Sequence, residues 1–180
     1  MSINYTDKEQ QIINTLMSFT FLWELHNLKF LESKCYADLK FKDRFVHEQI
    51  KSIGIMNNGM IPVILYMMLI IPKELFDNTK YSENFKEINK QISNLKNIEI
   101  IKSTYKSDEK NINYIRHFRN AVAHMNIKCE KTVVVFEDKN KKENFKIEVS
   151  YKALGEIVGF FYKFYAELIE EYKEKYKNKQ

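Results

Sequence analysis

Apolar residues return at three- and four-residue steps through the first stretch of the chain: Ile12, Leu16, Phe19, Trp23, His26/Asn27 and Phe30. That spacing predicts a long amphipathic helix over about Asp7–Leu31. Thr6-Asp7-Lys8-Glu9 ahead of it has the capping-box pattern, with Thr at the N-cap and Glu three residues on. His26 falls on or beside the apolar stripe and reads as a hydrogen-bonded core histidine. A weaker helix is predicted over Lys42–Ile53, with Phe45, Val46, Gln49/Ile50 and Ile53 as its buried side and His47 among charged neighbours. Asn57-Asn58-Gly59 reads as a break. The run Met60–Pro72 is apolar all round, so it predicts a central helix, opened by Pro62 in its first turn and closed by Pro72. Ser82 can cap an exterior helix whose stripe is Phe85, Ile88, Ile92 and Leu95.

After an unassigned connector, Asn97–Ser107, a helix capped by Ser107 or Asp108 is expected to run to about Met125. The period then changes from 3.6 to 2. Phe145, Ile147 and Val149 alternate with Lys146, Glu148 and Ser150, which predicts a β-hairpin, about Thr132–Glu137 and Asn144–Val149, around a basic loop. A lone hairpin is marginal in water, so this one should dock on the helices. The last helix, about Tyr151–Lys175, carries Leu154, Val158, Phe161, Tyr165, Leu168 and Tyr172 at alternating steps, a seam suited to core or dimer packing. A basic tail follows from about residue 173 to 180. The pattern as a whole predicts one mainly α domain, residues 1–180: an antiparallel helical bundle with a β-hairpin (about residues 132–149) inserted before the last long helix.

Composition changes this picture little. A chain of 180 residues is long enough to bury about 70% of its unfolded surface and needs no staples. Cys35 and Cys129 fit no metal or redox spacing, which favours a reducing, cytoplasmic setting. The N-terminus lacks the pattern of a signal peptide. Met60–Pro72 is thirteen residues long, short of the roughly 20 that span a bilayer, so no membrane role is expected. A formal charge of +5 suits a polyanionic partner but does not identify one.

One stretch is chemically unlike the rest. Asn111–Ile127, NINYIRHFRNAVAHMNI, has no Lys, Asp or Glu, although the chain holds 29 Lys and Arg and 24 Asp and Glu. It does hold two of the three arginines and two of the four histidines. On a helix at about 100° per residue, Ile115, Phe118, Val122 and Met125 cluster on one side, beside Tyr114 and Ala121. Asn113, Arg116, Asn120 and His124 lie nearly opposite, joined by His117. Arginine offers a permanently charged fork matched to phosphate oxygens, and histidine can pass protons near neutrality. Asparagine orients either without adding charge. No Asp/Glu cluster with metal-ligand spacing accompanies them, so metal-independent phosphate chemistry without a cofactor is the expectation. Arg119 and His124 are five residues apart, hence about 140° apart on a straight helix. Either Arg119 snorkels at a helix boundary, or the two meet through a helix end, the reach of the arginine, or a second subunit.

Arg119-Asn120-Ala121-Val122-Ala123-His124 resembles the R-x4–6-H motif of HEPN domains, with the common Asn directly after the Arg. The place of the motif late in the chain, before a final long helix, is similar too, and the β-hairpin after it resembles a bacterial and plasmid-borne branch. The resemblance implies a helical bundle and, in many members, a metal-independent endoribonuclease of toxin–antitoxin, phage-defence or RNA-processing systems. It implies that His124 is the catalytic histidine, that Arg119 binds the scissile phosphate, and that Asn120 orients one of them. Arg116, His117 and Asn113 are added as RNA- or phosphate-binding residues from the helical face alone. The implied partners are RNA, a second copy in a homodimer with a composite site, and an antitoxin protein. HEPN toxins modified on tyrosine tend to carry Tyr two residues after the His; here that position is Asn126. The alternative reading is a non-catalytic HEPN module that binds RNA, nucleotide or a protein partner. A structural helical protein or membrane-associated regulator comes last.

Overall fold

The computed structural model describes residues 5–75 and 80–177. Helix α1 spans Asp7–Asn27 and opens on a complete capping box: Glu9 N donates to Thr6 Oγ1 (3.3 Å) and Thr6 N to Glu9 Oε2 (2.9 Å). Ile12, Leu16 and Phe19 are buried as the spacing predicts. The helix stops four residues before Leu31, because Lys29 takes a left-handed conformation (φ 52) and starts a 3-10 turn, Phe30–Glu32. His26 is therefore not a core histidine. It is exposed near the helix end and rests against Trp23 (5.9 Å between rings), itself 46% exposed.

The next segment folds about an aromatic cluster of its own. Tyr36, in α2 (Lys34–Ala37), is buried against the rings of Phe30, Phe41 and His47. Two reciprocal bonds tie it to α3 (Arg44–Ile53): Tyr36 Oη to His47 O (2.8 Å) and His47 Nε2 to Tyr36 O (3.2 Å). The predicted inward face of α3 is overturned. Phe45, Val46 and Ile53 are 68%, 47% and 56% exposed, since α3 packs on the turn Phe30–Glu32 beyond the end of α1 rather than on the bundle.

The apolar run forms α4 (Met60–Leu65), a π-helical turn (Tyr66–Ile70) and α5 (Ile71–Leu75). Pro72 does not close it. Proline has no N–H for the carbonyl four residues back, and the widened turn before it absorbs the mismatch. That carbonyl, Met68 O, accepts the Tyr165 hydroxyl instead. Nor is the run enclosed on all sides: Leu65, Met68 and Leu69 face the core, while Val63 and Tyr66 are about half exposed. Among the described residues no helix is long and apolar enough to cross a membrane.

Helix α6 (Ser82–Ser93) buries Ile88 and Ile92 and half-buries Phe85, as its stripe predicts. α7 (Tyr114–Ala123) carries the motif, and α8 (Tyr151–Lys177) packs against α1, α6, the π-turn and the sheet. The predicted basic tail is helical through Lys177; residues 178–180 lie outside the described residues. Glu9 joins the two ends of the bundle by accepting Lys175 Nζ and Tyr176 Oη (both 2.8 Å). Its burial alone would raise the carboxyl, but these bonds and the Thr6 backbone N–H hold it down at about 2.

The hairpin is the centre of a larger antiparallel sheet of order β1-β4-β3-β2. β3 (Val133–Lys139) and β4 (Asn144–Ser150) pair as expected, with Val134 opposite Val149 and Phe136 opposite Ile147. β1 (Ile98–Ser103) adds to β4, which resolves most of the unassigned connector, and β2 (Ile127–Cys129) adds to β3. The two edge strands escape the periodicity argument for a physical reason. β2 has three residues, and all of β1 after Ile98 is exposed, so neither needs an apolar face.

Candidate active site

Helix α7 lies across the sheet, mainly on β3, with Tyr114, Phe118, Ala121 and Val122 buried beneath it. Its cap falls five or six residues later than the expected one at Asp108 or Ser107. Asn113 is the N-cap, accepting Arg116 N (3.0 Å). Asn89 of α6 fixes the same end, donating to Ile112 O (2.8 Å) and accepting Ile115 N (3.3 Å). Asp108, expected as a cap, sits in a 3-10 turn (Lys106–Asp108) whose carboxylate points inward.

That carboxylate explains much of the odd composition. His117 is fully buried and stacked on Phe145 (3.9 Å, 9° between planes). Its Nδ1–H donates to Asp138 Oδ2 at 2.7 Å, and its Nε2 lies 3.1 Å from both oxygens of Asp108. Arg116 Nη2 reaches Ser107 Oγ (3.1 Å) and Asp108 Oδ1 (3.3 Å), lies 3.1 Å from the same ring nitrogen, and the guanidinium covers the Tyr105 ring (5.0 Å). Asn120 Nδ2 donates to Asp138 Oδ2 (3.2 Å). The Tyr105 hydroxyl is pushed up to about 12, by burial first and then by the neighbouring Asp138. Two buried carboxylates thus face one guanidinium and an imidazole, an arrangement that buried charges require. The expectation that His117 binds phosphate is corrected: no surface of it meets solvent, because it clamps α7 to the sheet and to the turn before it.

The sequence does not mark Asp108, Asp138, Tyr105 and Phe145 as partners of His117. One signal was there. Asp138 is in step with Val134 and Phe136 on the inward side of β3, an acid where the strand pattern asks for an apolar residue.

Arg119 lies on the other flank. It lines a groove of about 500 Å³ between α6 and α7, together with Lys86, Asn89, Asn113 and Arg116. His124 is not among the residues that line it. The helix ends at Ala123, and His124 is its C-cap (φ −100, ψ 8), exposed. Met125 follows in the left-handed region (φ 54) and is 69% exposed, so it leaves the apolar side it was assigned. Met125 N bonds Val122 O (3.1 Å) and Asn126 N bonds Ala121 O (2.8 Å), the double closure of a Schellman turn. Glu137 N then donates to Asn126 O (3.0 Å), pinning the turn to β3. The first of the three routes to convergence is therefore present, a helix end at His124, yet Arg119 and His124 open to different places within one chain.

Among the described residues, no group of three or more His, Cys, Asp or Glu side chains is placed to hold a metal ion. Chemically, the site offers an exposed imidazole on a fixed turn, an oriented Asn120, and an arginine in a basic groove.

Comparison with curated proteins and with solved structures finds no match. The family model described as HEPN pEK499 p136 matches residues 2–176, nearly the whole chain. The mainly α fold is consistent with that match, and the chain belongs to the HEPN pEK499 p136 family, a plasmid-associated branch of the HEPN domains.

Proposed function

We propose that this protein is a metal-independent endoribonuclease whose active site is completed by a second copy of the chain. HEPN domains are commonly ribonucleases or nucleotide-related, and the observation that carries the reading here is the placement of His124. It stands exposed at the C-cap of α7, held by a Schellman turn, five residues beyond an arginine that opens into a basic groove.

In the proposed reaction an RNA 2′-hydroxyl attacks the adjacent phosphorus. One imidazole takes its proton, and the P–O5′ bond breaks as a second imidazolium gives a proton to the leaving oxygen. The products are a 2′,3′-cyclic phosphate and a 5′-hydroxyl. Each proton transfer can contribute roughly 10²–10⁴-fold. Arg119 stabilises charge on the phosphorane, and Asn120, held by Asp138, orients the histidine or the phosphate. One His124 cannot serve as base and acid at once, whereas a two-fold dimer supplies two. A cytoplasmic toxin held by an antitoxin protein, or a phage-defence effector, is the cellular role this chemistry suits.

The test is purified protein with total RNA, with and without chelator, wild type against His124→Ala, reading the 3′ ends. Chelator-resistant cleavage that leaves cyclic phosphates and disappears in His124→Ala is the expected result. Cleavage that survives the substitution, or needs added divalent metal, refutes it. RNA binding without turnover would identify a non-catalytic HEPN module.

A further inference from the structure

The groove between α6 and α7 has a second wall that the motif does not mention. Lys86 and Phe85 come from α6, and Arg116 and Arg119 from α7. Among the described residues, three cations from two helices line one groove and no Asp or Glu does. A concavity of about 500 Å³ falls in the usual range for small ligands, roughly 300–1,000 Å³.

We propose that this groove holds one nucleotide of a single-stranded RNA, the neighbour of the cleaved bond, with its phosphate at Lys86 and Arg116, beside the scissile phosphate on Arg119. The proposal deepens the nuclease reading and rests on it for the identity of the strand. Charge complementarity selects an anion. Phe85 and Ile115 give the groove an apolar floor on which a base or ribose can lie. Two donors are available for rearrangement. Lys86 pairs with Glu83 (2.7 Å), both being more than 70% exposed, and such surface pairs are weak and readily exchanged. Arg116 also lines the groove, and among the described residues its buried Nε has no partner. The rise along α7 from Arg119 to His124 is about 7.5 Å. A strand seated in the groove can therefore run along α7, past Asn120, towards the histidine.

The experiment uses fluorescence anisotropy with a labelled single-stranded oligoribonucleotide of mixed sequence. The full chain carries His124→Ala so that the RNA stays intact, and is compared with the same chain carrying Lys86→Glu or Lys86→Arg. Lys86 is exposed, so melting curves should coincide. Lys86→Glu should weaken binding about 5–20-fold and lower the slope of log Kd against log salt by about 0.7 for the lost phosphate contact. Lys86→Arg should restore both, and a duplex of the same sequence should compete less well than the single strand. Unchanged affinity and slope in Lys86→Glu overturn the groove even if the wild type cleaves RNA. So does a parent that binds no RNA at low salt. A drop with Lys86→Glu in a protein that never cleaves RNA keeps the groove and removes the nuclease reading.

Discussion

Asp138→Ala is the perturbation that most directly probes how α7 is held. Asp138 is 5% exposed and accepts His117 Nδ1–H at 2.7 Å and Asn120 Nδ2 at 3.2 Å. Removing it leaves the Nδ1–H of a fully buried imidazole without an acceptor and frees the Asn120 amide. Leaving a buried donor without its acceptor costs about 1–3 kcal/mol. At about 2–4 °C per kcal/mol for a chain of this size, thermal melting followed by circular dichroism should fall by about 2–12 °C. Asp138→Leu combined with His117→Phe removes both members while keeping an aromatic ring on Phe145. Replacing both partners by apolar groups can be nearly neutral, so the pair should cost about 1–2 kcal/mol less than the sum of its single changes. A loss below about 1 kcal/mol for Asp138→Ala, or strict additivity in the cycle, refutes the clamp.

The joint between α1 and α8 should be acid-sensitive. Glu9 is held at about 2 against an ordinary value of 4.5, so its contribution is complete above about pH 4.5 and lost as pH falls towards 2. The drop corresponds to about 3 kcal/mol at most, and Glu9→Gln keeps the capping geometry while removing the charge. Urea unfolding should show wild type more stable than Glu9→Gln at pH 7, with the gap closing below pH 4.5; a gap indifferent to pH refutes this. The turn after His124 should tolerate Met125→Gly, within about 1 kcal/mol of wild type and on the stabilising side. Met125→Val should lose about 1–2 kcal/mol in the same assay, because a β-branched residue resists φ 54. Equal stability of the two variants would contradict the strain.

Periodicity read the bundle well where a helix has one wet and one dry side. Ile12, Leu16 and Phe19 in α1, Ile88 and Ile92 in α6, and Leu154, Phe161, Tyr165, Leu168 and Tyr172 in α8 are buried as spacing implied, with Phe85, Leu95 and Val158 half-buried beside them. It failed where an apolar face is not matched by a partner in the chain, as in α3, whose Phe45 and Ile53 stay exposed. It failed again where a proline was read as a stop, because a π-turn and the Tyr165 hydroxyl relieve Pro72. At the site, the missing lysines and acids marked α7 as unusual for a sound reason, but the reason was divided. Part of that face is turned inward onto Asp108 and Asp138, with His117 sealed completely, while Asn113, Arg116, Arg119 and His124 keep access to the outside. A helical wheel separates polar from apolar. It does not separate a polar side that meets solvent from one that meets a carboxylate on a distant strand.

The sheet order β1-β4-β3-β2 puts the strand before α7 on one edge and the strand after it on the other. α7 therefore bridges a sheet whose two middle strands come later in the chain. During synthesis the ribosome makes Arg119 and His124 before it makes Asp138, Phe145 or any of β4. Until β3 and β4 have emerged and paired, the nascent motif helix has neither the Asp138 acceptor for His117 Nδ1 nor the strand surface under Phe118. The motif residues are thus spelled out early and set late. A chain interrupted before Ser150 would carry the whole motif without the scaffold that holds it.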